Sequence, residues 1–191
     1  MPRERYYLAG LLLALFVVAF ASRLGDTTGW EFVEPLTMLA VCVVLTWIFP
    51  EPFRGLGWDA RALKWMAIAV AALCVIWTLG FWIWNSHSTQ IQWGWRLVLH
   101  FLFLAVISPW FEEKVLRHLL LGSILKVARP FVSIIFVSVL FALAHKGMFS
   151  WALIASLVLC LMRVKLDAKT IHCVVVHGLV NSYVFALYVT T

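Results

Sequence analysis

Apolar runs recur from one end of this chain to the other, and several reach the length of a lipid bilayer. They cover Tyr7–Ser22, Pro35–Phe49, Trp65–Trp84, Trp95–Leu125, Phe131–His145, Phe149–Arg163 and Thr170–Val189. A helix needs about 20 apolar residues to span the hydrocarbon core. In lipid its backbone must be satisfied within the segment, which leaves helices or closed barrels. Runs of this length predict helices. The fold expected is therefore all-α: a polytopic membrane bundle of about seven transmembrane helices, with a polar site in its interior. Residues 1–191 form one integral membrane domain. The polar linkers are short, and the longest clear one is "PEPFRGLGWDAR", Pro50–Arg61.

Composition agrees. The chain is 64% hydrophobic and 13% charged, whereas soluble domains average about 25% charged. A net charge of +6 in a soluble protein would suggest nucleic acid. Here the cations lie between apolar spans, so orientation and anionic lipid account for them. The partner implied is the bilayer, and no nucleic acid.

The loops give an orientation. If Trp95–Leu125 crosses once, one side collects Arg3, Arg5, Arg54, Arg61, Lys64, Lys126, Arg129, Arg163, Lys165 and Lys169. The other side collects Arg23, Arg96 and Lys146. The positive-inside rule then puts the amino terminus in the cytoplasm. The fourth run is long, so it should tilt or break near Pro109. Trp77, Trp82, Trp84, Trp93 and Trp95 bracket an outer boundary as an aromatic belt. The first run, with Arg3 and Arg5 before it and Ala19-Phe20-Ala21 near its end, has the pattern of a signal peptide; it is expected to stay as the first helix. Cys42, Cys74, Cys160 and Cys173 sit singly in apolar runs and read as buried small residues.

Against this background "PWFEEKVLRHLL", Pro109–Leu120, is anomalous. An ionisable group at bilayer depth costs about 2.5 kcal/mol or more and is by default a functional hypothesis. Glu113 and Arg117 are four apart and share a helix face, acid first, which is the favourable order. Glu112 lies about 100° round the helix and is the freer carboxylate, a candidate general base. His177 and Asn181 are also four apart and offer N–H donors that can hold a developing oxyanion. His145 closes the segment "LFALAH" and can hold a water. At about 1.5 Å rise per residue, Glu112, Glu113, His145 and Asn181 fall about 16–21 Å from the cytoplasmic ends of their helices, and His177 about 10 Å. Each feature alone is ordinary: a clasp, an interfacial histidine, an interhelical hydrogen bond. Together they point to a site. His87, His100, His118 and His172 read as interfacial or packing residues, and Lys114 and Lys126 as snorkelling or facing the cytoplasm.

Glu112-Glu113-x-x-x-Arg117, Phe141-x-x-x-His145 and His177-x-x-x-Asn181 resemble the three motifs of the CPBP family. That family holds the type II CAAX prenyl endopeptidases and the bacterial Abi proteins. The resemblance covers about residues 109–188. It implies a glutamate-dependent intramembrane protease. Glu112 would activate water, His145 would help hold it, and His177 and Asn181 would stabilise the oxyanion. Glu113, Arg117 and Phe141 would support the site. His118 stands where the family often has glycine. The short length resembles bacterial sorting proteases, which trim the anchoring helix of exported proteins. The substrate implied is a membrane-anchored protein or peptide. Glutamate and two histidines can also ligate zinc. The His-Glu-x-x-His spacing of helical zinc proteases is missing, and a carboxylate-activated water needs no metal, so no cofactor is expected. The competing reading is a non-catalytic immunity or scaffold protein that binds through the same polar cluster.

Overall fold

Each of the seven apolar runs forms a helix. The computed structural model describes residues 6–51, 57–84, 94–145 and 147–190, with side chains for all of these but 81–84 and 190. Arg3, Arg5, Arg54, His87, Trp93 and Lys146 lie outside the described residues, as do the side chains of Trp82 and Trp84. The helices are α1 (Tyr7–Thr28), α2 (Val33–Ile48), α3 (Ala60–Trp84), α4 (Trp95–Ile124), α5 (Pro130–Ala144), α6 (Phe149–Lys165) and α7 (Thr170–Thr190). Their ends carry ordinary stop and start chemistry. Gly29 closes α1 at φ +71°, its N–H bonded to the Gly25 carbonyl, a left-handed cap that glycine adopts freely. Pro130 opens α5 after an extended Arg129, where its missing N–H costs nothing.

Length separates the helices into two groups. Over Tyr7–Thr28, Ala60–Gly80, Trp95–Ile124 and Thr170–Val189 they are long and apolar enough to cross a membrane. The other three have 16, 15 and 17 residues, so each reaches only about 23–26 Å of a core about 30 Å thick. The expectation of about seven crossings thus holds for the number of helices, while four meet the length and composition of a span.

α4 is the hub. On one side it packs with α1 and α2 through Tyr7, Leu11, Met38, Cys42, Phe111 and Val115. On another side, Leu121 meets Ile134, Val137 and Cys160 of α5 and α6. α3, α6 and α7 form a further core around Leu73, Leu159, Cys173 and Val176. The perimeter is greasy: Phe16 is 70% exposed and Trp47 80%. A bundle whose solvent is lipid presents such a surface at no hydrophobic cost. The first helix is part of the core, since Tyr7, Leu11 and Ala14 are buried in it.

The fourth helix does not break at Pro109. It stays helical from Trp95 to Ile124, and two π turns, Phe103–Ile107 and Lys114–Leu120, take up the irregularity. α7 is anchored at its start by Glu51, whose carboxylate accepts the Thr170 N–H and hydroxyl at 2.9–3.1 Å and pairs with Arg163 at 2.7 Å. A carboxylate at a helix N-terminus satisfies donors the helix cannot. This fixes the register of α7, and with it the height of His177.

One expectation about the charged run fails. Lys114 does not snorkel: it is 3% exposed, and its Nζ donates to the Phe49 carbonyl at 2.6 Å and reaches His118 Nδ1 at 2.8 Å. His118 is likewise buried, with Nε2 3.2 Å from the Tyr7 hydroxyl. The helix around Lys114 is wrapped by α1 and the end of α2, so the ammonium is satisfied inside the protein. Lys126 is exposed and sits over the Tyr7 ring at 5.2 Å. His172 is buried as a packing residue, on Trp58 at 4.6 Å.

Candidate active site

Pro109 shapes the site through the backbone. An interior proline has no N–H to give. The Ser108 N–H reaches back five residues to the Phe103 carbonyl, which is the π turn. The Leu104 carbonyl is thereby free for an outside donor, and Asn181 Nδ2 supplies it at 2.9 Å. One turn earlier on α7, Gly178 lies against the Ala105 carbonyl so closely that a Cβ would overlap its oxygen. The proline-opened turn of α4 is therefore where α7 docks.

That docking brings His177 to the acidic pair. Glu113 is wholly buried. Its Oε2 lies 3.1 Å from Arg117 Nε, close but without hydrogen-bond alignment. Its Oε1 accepts from His177 Nδ1 at 2.9 Å. Arg117, also fully buried, donates from Nη2 to Ser156 at 3.0 Å, and its guanidinium stacks over the Phe141 ring at 4.9 Å. The clasp expected from the four-residue spacing is present, with α5, α6 and α7 closed around it.

Glu112 points elsewhere. Its Oε1 accepts from the Ser108 hydroxyl at 2.5 Å. Its Oε2 stands 3.8 Å from His177 Nε2 and has no hydrogen-bond partner among the described residues. A buried carboxylate oxygen left this way needs a donor. His145 caps α5; its Nδ1 lies 2.8 Å from the Phe141 carbonyl, which only accepts, so Nδ1 carries the proton. In the neutral ring Nε2 is then an acceptor.

Glu112, His145, His177 and Asn181 line one cavity of about 560 Å³, together with Ser108 and Phe141. The rest of its wall is apolar and aromatic, with Trp77, Trp151, Phe185 and Tyr188 among the largest groups. It extends toward the end of the bundle where α3 and α7 finish and α4 and α6 start, since Trp77, Tyr188, Leu97 and Met148 all line it. The three motifs, spread over 70 residues from Glu112 to Asn181, share this space. Glu113 and Arg117 stay behind it.

No three His, Cys, Asp or Glu side chains among the described residues are arranged to hold a metal ion. Ser108 and the Leu104 carbonyl are participants that the sequence reading did not single out. Ser108 carried a signal, lying four residues before Glu112 on one face; the Leu104 carbonyl carried none.

Residues 93–183 match the family model described as type II CAAX prenyl endopeptidase Rce1-like. No curated protein and no solved structure matches the chain.

Proposed function

We propose, on the match of residues 93–183 to the family model described as type II CAAX prenyl endopeptidase Rce1-like, that this integral membrane protein cleaves a peptide bond with a water activated by Glu112. The observation that carries the reading is the convergence of Glu112, His145, His177 and Asn181 on one cavity.

The chemistry follows from which atoms are already committed. Water donates one proton to Glu112 Oε2, and its other hydrogen is held by His145 Nε2. The hydroxide oxygen bonds to the scissile carbonyl carbon. The carbonyl oxygen, now an anion, accepts from the second Asn181 N–H, the first being held by Leu104. His177 adds a donor from Nε2 when the ring carries both protons, because its Nδ1 proton belongs to Glu113. Collapse of the tetrahedral intermediate breaks the C–N bond, and the leaving nitrogen takes the proton from Glu112. One water is consumed and the carboxylate is restored. Fixed donors in a water-poor cavity are the largest single source of such rate enhancement. No step needs a metal.

The aromatic wall suits a membrane-associated protein that presents an extended, apolar segment. With the amino terminus in the cytoplasm of a bacterial inner membrane, as the basic loops favour, the cavity opens toward the outer half of the bilayer. The test is mass spectrometry of membrane peptides from cells carrying the wild-type chain or Glu112→Gln. New termini present only with the wild type are expected. Identical termini in both, with equal protein levels, would reject the mechanism.

A further inference from the structure

Ser108 behaves unlike four other serine and threonine hydroxyls in the helices of this protein. Thr78, Ser123, Ser133 and Ser182 each donate to the carbonyl four residues earlier, at 2.7–3.1 Å. That is the usual habit of serine and threonine inside a helix. Ser108 donates forward instead, to Glu112 Oε1 at 2.5 Å. The carbonyl four residues before Ser108, that of Leu104, accepts from Asn181 Nδ2, and the Ser108 hydroxyl lies on the carboxylate instead; a hydroxyl–carboxylate bond of this length belongs to the strong class.

One oxygen of Glu112 is thereby fixed and the other is aimed. Oε1 is committed to Ser108, while Oε2 remains without a partner, 3.8 Å from His177 Nε2. The other ionisable groups around Glu112 are His145 across the cavity and Glu113 and Arg117 on its own helix. None of these is bonded to Oε1. We propose that Ser108 is a positioning residue for the reaction: its hydroxyl clamps Glu112 so that Oε2 is the oxygen that receives the proton from water. The inference rests on the reading of Glu112 as the general base. It adds that the orientation of this base is set by Ser108.

The experiment uses the full chain in proteoliposomes. Its probe is an internally quenched peptide with an uncharged apolar core, chosen because the wild type cleaves it and Glu112→Gln does not. Misaligning a catalytic group by about 1 Å costs about a hundredfold. Ser108→Ala should therefore lower kcat by about ten- to a hundredfold with KM little changed, and Ser108→Thr, which keeps a hydroxyl on the same carbon, should recover most of the turnover. The melting temperature of Ser108→Ala in detergent should stay near that of the wild type. Wild-type kcat in Ser108→Ala overturns the proposal. A raised KM at unchanged kcat also overturns it, because it makes Ser108 a substrate contact. Equal losses in both variants with lowered melting reduce Ser108 to a packing role. If no peptide is cleaved in a Glu112-dependent way, the general-base reading fails first and this one with it.

Discussion

His177 is tied to Glu113: its Nδ1 donates across 2.9 Å to Oε1 of a carboxylate that is fully buried. Glu113 thus does two things at once. It offsets the buried charge of Arg117, and it holds the imidazole so that Nε2 faces the cavity. Removing one partner of a buried pair leaves the other uncompensated, at a cost of about 3–5 kcal/mol. Glu113→Gln should therefore lose stability of that order in detergent unfolding and lose cleavage as well. Glu112→Gln, which leaves Arg117 its partner, should lose cleavage alone. Equal stability of the two variants would remove the clasp from its assigned role.

His145 needs a different prediction, because its Nδ1 bond goes to a backbone carbonyl of its own helix. Its ring also packs on Phe141, at 4.2 Å between centroids. His145→Ala should fold and insert normally and lose about 10²–10⁴-fold in turnover, the range for a group that handles a proton in the transition state. Initial rates on the quenched peptide check this. A loss under tenfold would leave His145 at the rim of the cavity without a part in the chemistry.

Gly178 sits one residue after His177 and three before Asn181, where α7 lies against the Ala105 carbonyl of α4. Gly178→Ala places a methyl on the Ala105 carbonyl oxygen, and relief requires the helices to part. Overpacking of this kind costs about 1–3 kcal/mol. Here it also shifts two site residues, so turnover should fall further than stability does. Normal activity in Gly178→Ala would mean that α7 tolerates displacement.

How much of this was readable in advance depends on whether a residue's partner lies on its own helix. Glu113 with Arg117 was legible because both ends of the pair are four residues apart, as spacing rules require. Lys114 with His118 has the same spacing, yet a lysine in lipid suggests snorkelling. Only the packing of Tyr7 and Phe49 against it shows why it stays inside. Asn181 was legible as a donor, but not its acceptor: that is a backbone oxygen 77 residues away, released by a proline. The seven helices followed from hydropathy alone. The lateral meeting of α4, α5 and α7 came from the motif resemblance, since no periodicity encodes it.

The Lys114–His118–Tyr7 chain offers a control. It lies outside the cavity lining, on the face of α4 that meets α1 and α2. His118→Ala removes a buried hydrogen bond to Lys114 Nζ, 2.8 Å away, a loss of about 1–3 kcal/mol. Stability should drop by that amount while cleavage per folded molecule stays constant. A changed kcat would show that the cavity senses the opposite face of its central helix.

Asn181 is the residue at which structure and chemistry are hardest to separate, and the choice of substitution separates them. One Nδ2 proton is spent on Leu104, and the other is free for the oxyanion. Asn181→Ala removes both donors and leaves a buried carbonyl unsatisfied. Asn181→Asp keeps the shape but puts a carboxylate against the Leu104 oxygen and beside the developing anion. Losing one oxyanion donor costs about 10²–10³-fold in kcat. Asn181→Ala should show that loss together with about 1–3 kcal/mol of destabilisation, and Asn181→Asp should be worse on both counts, since it replaces attraction with repulsion at each end. Turnover in Asn181→Asp equal to or above that in Asn181→Ala would mean that no negative charge builds up near this side chain. The oxyanion would then have to be held by His177 without it.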